Sequence, residues 1–295
     1  MFQASTTAQT DPVSQTGQIA HQDVLTALRS QIRQIERRPD SLPDQDAGPV
    51  WKTDIPDLDT LLGVSGLEIG AVHEVKPALQ RNGSNWTAAW ASALAFSLTL
   101  ARRRSLLDGA SGPILCCRPT IATGEFGGLY GPGLRALGID PAQFIIVETG
   151  NVSDALWAIE EGLKSASTAM VIGVLDEVDL TPARRLALAA ASHRSPCILL
   201  THPRAEATAA VATRWRVGSA PSAPHPFDER APGNRSFSIV LERCRAQPIA
   251  AEAAAFCVEW CDETFCFRLA SRLADRTPAT RRSARGAGGS SVWPR

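Results

Sequence analysis

The chain has 295 residues, of which 44% are hydrophobic and 20% charged, with thirty basic and thirty acidic side chains and a formal net charge of zero. That balance argues against a surface built throughout for nucleic acid, and no run of about 18 uninterrupted apolar residues is present for a membrane-spanning helix. The polar N-terminus lacks the basic-then-apolar pattern of a signal peptide, and the seven scattered cysteines suit a reducing compartment better than a disulfide framework, so a cytoplasmic protein is expected.

Residues 1–18 hold almost nothing apolar and are expected to form a disordered arm, because burial cannot offset the entropy of ordering them. In residues 19–38, Val24, Leu25, Leu28, Ile32 and Ile35 recur at helical spacing while Arg29, Arg33, Arg37 and Arg38 fall off that stripe. This is an amphipathic helix. It either packs on its own domain or docks on another molecule, with Leu25, Leu28, Ile32 and Ile35 as the contact residues. Residues 39–54 read as a Pro- and Asp-rich linker.

One core domain is expected over residues 55–270. "SGLEIGAVHEV" reads as a glycine-marked turn and a buried strand ending at Val75, and "NWTAAWASALAFSLTLARRR" as a long helix whose closing arginines suit its C-terminal dipole. "PILCC" is a strand, "GPGLRALG" a short helix and "FIIVE" a strand. "NVSDALWAIEEGLKS" is a helix with Asn151 as N-cap and Trp157 on its buried side. "AMVIGVL" is a buried strand, "TPARRLALAAAS" a helix with Thr181 as N-cap and Pro182 in its first turn, and "PCILLT" closes the series. Apolar strands alternating with helices require crossovers, hence an α/β fold with a mostly parallel sheet covered on both faces.

Beyond residue 212 the texture changes to "TRWRVGSA", a Pro-rich loop, "SFSIVLERCR" and "FCVEWCDETFCFRLA", which alternates like two strands around a turn at Asp262. These segments predict antiparallel strands added at the C-terminal edge of the sheet. Cys257, Cys261 and Cys266 have no nearby His or fourth Cys to complete a zinc site and read as small core or sheet-face residues. Residues 271–295 form a disordered Arg-, Gly- and Ser-rich tail. Its Arg276, Arg281, Arg282 and Arg285 either follow a single-stranded DNA backbone or stay solvated.

The stretch from Glu74 to Trp90 occupies the place of a phosphate loop, between a buried strand and a helix. A Walker loop, G-x-x-x-x-G-K-[ST], needs glycines so that backbone N–H groups converge on phosphate, a Lys to offset its charge and a hydroxyl for magnesium. With Gly83 as the second glycine, the first falls on Ala78, the Lys on Ser84 and the hydroxyl residue on Asn85. Three of the four constrained positions are replaced. Lys76 before the loop and Arg81 within it are cations that would attract an anion to the helix N-terminus. Asp176 and Glu177 stand where a carboxylate would hold magnesium, and equally where an acidic turn would lead into the next helix. The expectation is a relict loop made of Ala78, Gly83, Ser84 and Asn85, with no catalytic residue, no metal and no ATP as cofactor.

The order of segments resembles the RecA-type ATPase core, and more closely the ImuA family. The residues that carry the resemblance are "HEV", "EFGGLYGPGLRALGID", "DALWAIEEGL", "DLTPARRLALAA", "ATRWRVGSAPS" and "LERCR". The resemblance implies a RecA-like core and a non-catalytic role in the SOS response. There, ImuA-like proteins act with ImuB, an inactive polymerase relative, and with an error-prone DnaE-type polymerase in translesion synthesis and mutagenesis. RecA itself is a further implied partner. Carried over position by position, RecA's lysine falls on Ser84, its hydroxyl on Asn85, its magnesium Asp at or beside Leu175 and its catalytic Glu near Arg118 and Pro119, with Glu125 several residues too late. Two other readings stay open. One is a RecA-class ATPase in which Arg81 or Lys76 replaces the missing lysine and Asp176 binds magnesium; the other is a cell-division inhibitor like SulA.

Overall fold

The computed structural model describes residues 49–63, 66–79, 86–107, 110, 112–121, 127–165, 167–225, 227–247 and 255–272. In chain order they form β1 (Val50–Trp51), α1 (Pro56–Thr60), β2 (Leu67–Glu68), β3 (Val72–Pro77), α2 (Trp86–Ser105), β4 (Ile114–Pro119), α3 (Gly131–Ala136), β5 (Phe144–Thr149), α4 (Val152–Lys164), β6 (Met170–Val174), α5 (Leu180–His193), β7 (Cys197–Leu200), β8 (Thr213–Ala220), β9 (Pro224–His225), β10 (Asp228–Pro232), β11 (Ser236–Cys244), β12 (Ala255–Cys261) and β13 (Cys266–Arg272). The expected arm and amphipathic helix, residues 39–48 of the expected linker and the tail beyond residue 272 lie outside the described residues; residues 49–54 of that linker instead carry β1, with Trp51 buried in the core at 1% exposure, and residues 271–272 of the expected tail end β13.

The period of two along the apolar strands builds two cores on one sheet. Cys116, Ile172 and Ile198 face α2, where they meet Trp90, Phe96 and Leu100. Their sequence neighbours Leu115, Val171 and Leu199 face the opposite way, against Ala155, Ile159 and Leu163 of α4 and Leu186 and Ala190 of α5. Strands buried on both faces have to be apolar throughout, as "PILCC" and "AMVIGVL" are. The nine-stranded sheet has the order β13-β12-β11-β8-β3-β7-β6-β4-β5. β8, β3, β7, β6, β4 and β5 run parallel, and β11, β12 and β13 add antiparallel at the β8 edge. The expected mixed α/β fold, mostly parallel with antiparallel strands at the C-terminal edge, is the observed one.

Local chemistry explains the helices. In α2 the hydroxyls of Ser92, Ser97 and Thr99 donate to the carbonyls four residues back at 2.8, 2.9 and 2.8 Å, which lets polar side chains sit in a buried helix. At the start of α4 the Asn151 side chain accepts the Asp154 amide at 2.9 Å, the expected N-cap.

Four further expectations need correction. β3 runs past Val75 to Pro77, because its partner β8 continues alongside it. The parallel series does not close at β7: β8 pairs parallel with β3, and within the nine-stranded sheet the antiparallel pattern begins only at β11. α5 begins at Leu180 with Asp179 in the cap position, so Thr181 lies in its first turn. Trp157 is 64% exposed, not buried. At about 100° per residue, the stripe of Ala155, Ala158, Ile159, Gly162 and Leu163 that faces the sheet puts Trp157 on the far side of α4.

Candidate functional site at the carboxyl ends of the parallel strands

In open parallel sheets, ligands bind beyond the carboxyl ends of the strands where the strand order reverses. Here the chain leaves β3, crosses to β4, moves outward to β5, and returns to fill the gap with β6 and β7. The ends of β3, β4 and β6 therefore frame the candidate site.

At the end of β3, Glu74 and Lys76 lie two residues apart and so share one face of the strand. The Lys76 ammonium is 3.5 Å from Glu74 Oε1 and donates to the Ala205 carbonyl at 2.7 Å. Glu74 Oε1 also accepts the Thr201 hydroxyl at 2.9 Å, and Oε2 accepts Arg214 Nε at 2.5 Å. Arg214 Nη2 reaches the Thr208 carbonyl at 2.7 Å. Lys76 is 2% exposed. Its charge is spent on a buried network that holds the loop after β7. Ala78, at the first-glycine position of the loop, donates its amide to the Val217 carbonyl at 2.7 Å and so stays tied to β8. A Cβ on Gly218 would stand 2.9 Å from the Ala78 Cβ, so a glycine there is what admits this contact. Arg81, Gly83, Ser84 and Asn85 lie outside the described residues.

At the end of β4, Arg118 donates Nη1 to the Gly127 carbonyl at 3.2 Å and Nη2 to Glu148 Oε1 at 2.6 Å. Arg118 and Glu148 are register partners across β4 and β5. A cavity beside them is lined by Trp90, Leu94, Cys116, Arg118, Leu129 and Val174. The buried Nε of Arg118 has no hydrogen-bond partner among the described residues. A guanidinium stays protonated at any physiological pH and cannot act as a general base. Glu125 lies outside the described residues.

After β6, Leu175 is buried at 2% exposure, while Asp176 and Glu177 are exposed. Glu177 Oε1 accepts the Glu206 amide at 3.0 Å and the Asp176 carbonyl accepts the His202 amide at 2.9 Å. Both therefore tie down the loop after β7. Among the described residues no group of three or more His, Cys, Asp or Glu is placed to hold a metal ion. Burial pushes the Cys116 thiol up to about 11 and the Cys117 thiol up to about 12, which makes both poor nucleophiles.

Arg214, Thr201 and Glu148 were not singled out from sequence. The signal available for Glu148 was a charged residue ending each of two adjacent apolar strands, "ILCCR" and "FIIVE". For Arg214, 140 residues from Glu74 in the chain, no local pattern pointed to the pairing. The contact residues Leu25, Leu28, Ile32 and Ile35 and the tail residues Arg276, Arg281, Arg282 and Arg285 lie outside the described residues.

No protein-family model matches the chain. Its sequence aligns with Protein ImuA from two strains of Caulobacter vibrioides, NA1000 / CB15N and ATCC 19089 / CIP 103742 / CB 15, each 28% identical over 207 residues that make up 67% of this chain and 79% of the relative. The chain is similar to Protein ImuA. The ImuA resemblance read from the segment order is thus found again by alignment over most of both chains. No described helix of the chain is long and apolar enough to cross a membrane.

Proposed function

We propose that the chain is a non-catalytic accessory protein of damage-induced mutagenesis, built on a RecA-like core that holds partners rather than turning over nucleotide. Its partners on this reading are an ImuB-type polymerase-like protein, RecA and an error-prone DnaE-type polymerase. The amphipathic stripe of Leu25, Leu28, Ile32 and Ile35 is one docking surface, and the arginines of the tail make an accessory contact to single-stranded DNA. No nucleotide, metal or other cofactor is assigned.

The observation that supports this reading is the fate of Lys76. The lysine nearest the loop is buried against Glu74 and the Ala205 carbonyl, so it is not available to offset the charge of a triphosphate. Similarity to ImuA proteins over 67% of the chain supplies the rest of the reading.

The test is a titration of the full chain with a fluorescent ATP analogue and magnesium, with and without single-stranded DNA, beside a Gly83→Asp control. No saturation up to millimolar nucleotide is expected. Saturable binding that the substitution abolishes would replace this reading with a RecA-class ATPase. In cells, deletion of the gene is expected to remove damage-induced mutagenesis; unchanged mutagenesis, together with a division block on overexpression, would favour a SulA-like inhibitor.

A further inference from the structure

The β12–β13 hairpin places two of the seven cysteines directly opposite each other. Cys261 closes β12, Cys266 opens β13, and the two are register partners across the antiparallel pair. Between them runs the turn from Asp262 to Phe265, with Phe265 at a positive φ of 49°. Directly opposed residues on antiparallel strands have Cα atoms about 4.5 or 5.5 Å apart, depending on whether the pair is hydrogen-bonded. Both values fall inside the range of about 4.4–6.8 Å that a disulfide spans. Their side chains also leave the sheet on the same face. Neighbouring Trp260 and Phe267 pack into the core from the other face, their rings 5.3 Å apart.

The surroundings suit thiolate chemistry. Thr264 Oγ1 is 2.9 Å from Cys266 Sγ. Hydrogen bonds from the Thr264 side chain, the Thr264 backbone and the Glu263 backbone, with the Arg268 charge, hold the Cys261 thiol below its ordinary range. The turn is docked rather than loose. Arg102 donates Nε to the Gly138 carbonyl at 2.9 Å and Nη1 to the Phe265 carbonyl at 3.1 Å, with its guanidinium 5.4 Å from the Phe265 ring centre. Cys261 is buried at 8% exposure beside the partly exposed Cys266, whereas Cys116, Cys117 and Cys197 lie at 0–1% in the parallel sheet.

We infer that Cys261 and Cys266 form a dithiol site that takes hydrogen peroxide as its oxidant and closes to a cross-strand disulfide. In the first step the Cys261 thiolate attacks the peroxide. An S–O bond forms, the O–O bond breaks, and the departing hydroxide takes a proton to leave as water. In the second step the Cys266 sulfur attacks the Cys261 sulfenic acid. The S–S bond forms, the S–O bond breaks, and the oxygen leaves with the Cys266 proton as a second water. The two sulfurs lose two electrons together and the peroxide gains them. The product staples the outermost strand of the sheet to its neighbour without moving the register.

The test uses the full chain, reduced, freed of reductant and exposed to hydrogen peroxide, then unfolded and alkylated before tryptic digestion. The peptide 246–268 carries Cys257, Cys261 and Cys266 together. It is expected to become two hydrogens lighter and to keep one alkyl group, on Cys257, at a dose that leaves Cys116, Cys117 and Cys197 fully alkylated. In Cys266→Ser the linkage is lost and an oxygen adduct accumulates on Cys261. Cys257→Ser retains the linkage, which separates loss of a partner from general disturbance of the hairpin. Full alkylation of both Cys261 and Cys266 in the oxidised wild-type chain overturns the proposal, as does a linkage through Cys257.

Discussion

Lys76 Nζ stands 3.5 Å from Glu74 Oε1, while the other oxygen of the same carboxylate takes Arg214 Nε at 2.5 Å. One buried carboxylate thus answers two buried cations, and the remaining positive charge is spread over the Ala205 and Thr208 carbonyls. A pair broken on its shared side leaves both cations uncompensated. Glu74→Gln is therefore expected to cost about 3–5 kcal/mol, and Lys76→Met, which strands chiefly the Ala205 carbonyl, about 1–3 kcal/mol. Urea midpoints of the two variants decide the matter: equal losses would mean that the network is not centred on Glu74.

His73 gives the fold an acid-sensitive point. The Thr213 hydroxyl donates to its Nδ1 at 2.8 Å and accepts Trp215 Nε1–H at 2.7 Å, so the ring proton sits on Nε2 and is donated to the Glu68 carbonyl at 2.9 Å. Burial holds this imidazole down at about 4, from an ordinary 6.5, against the opposing pull of its Glu68 hydrogen bond. Between those values the unfolded chain binds a proton that the folded chain refuses. Stability is therefore fully present above pH 6.5, falls as pH drops through it, and levels off below about 4. The total loss is about 3 kcal/mol. Urea unfolding at pH 7 and pH 5 measures this slope, and His73→Gln is expected to flatten it.

Helix α4 and strand β6 meet at two glycines. A Cβ on Gly162 would lie 2.3 Å from Leu115 Cδ2, and one on Gly173 would lie 2.5 Å from Ile159 Cδ1 and 2.9 Å from Leu199 Cδ2. Overpacking at such sites costs about 1–3 kcal/mol. Gly173→Ala is expected to cost more than Gly162→Ala, because it is pressed from the helix and from the adjacent strand at once. Thermal melts of the two variants check the order.

On the proposed function, the N-terminal stripe acts in partner contact and the core does not depend on it. Ile32→Asp puts a charge into that stripe. Loss of ImuB-type partner in pull-down and of induced mutagenesis is expected, with a urea midpoint unchanged from wild type. Retained pull-down would remove the stripe as a docking surface.

Much of the architecture was legible in the chain, because apolar strands buried on both faces and helices with N-caps such as Asn151 announce themselves locally. The turn at Asp262 between two alternating runs was equally readable. Partner direction was not. "TRWRVGSA" carries no mark that it runs parallel to β3 on one side and antiparallel to β11 on the other. Trp157 misled because the helical period was read with the tryptophan on the buried face, whereas α4 turns Ala155, Ala158, Ile159, Gly162 and Leu163 towards the sheet and leaves Trp157 outside. At the candidate site, the replaced loop positions were plain in sequence, but the fate of Lys76 depended on Arg214, which only the closed sheet brings to Glu74.

That closure also orders events during synthesis. β3 is the first strand of the large sheet to be made and lies between β7 and β8, the last two of its parallel set. His73 and Thr213 are 140 residues apart. At about 5–20 residues per second on the ribosome, β3 waits on the order of ten seconds with both of its edges unpaired. Its six residues, "VHEVKP", are buried in the finished fold and include a histidine, a glutamate and a lysine. While the strand waits, those polar groups remain hydrated and discourage it from pairing with another nascent chain. The residues that later knit the centre of the sheet together thus also guard it until its neighbours arrive.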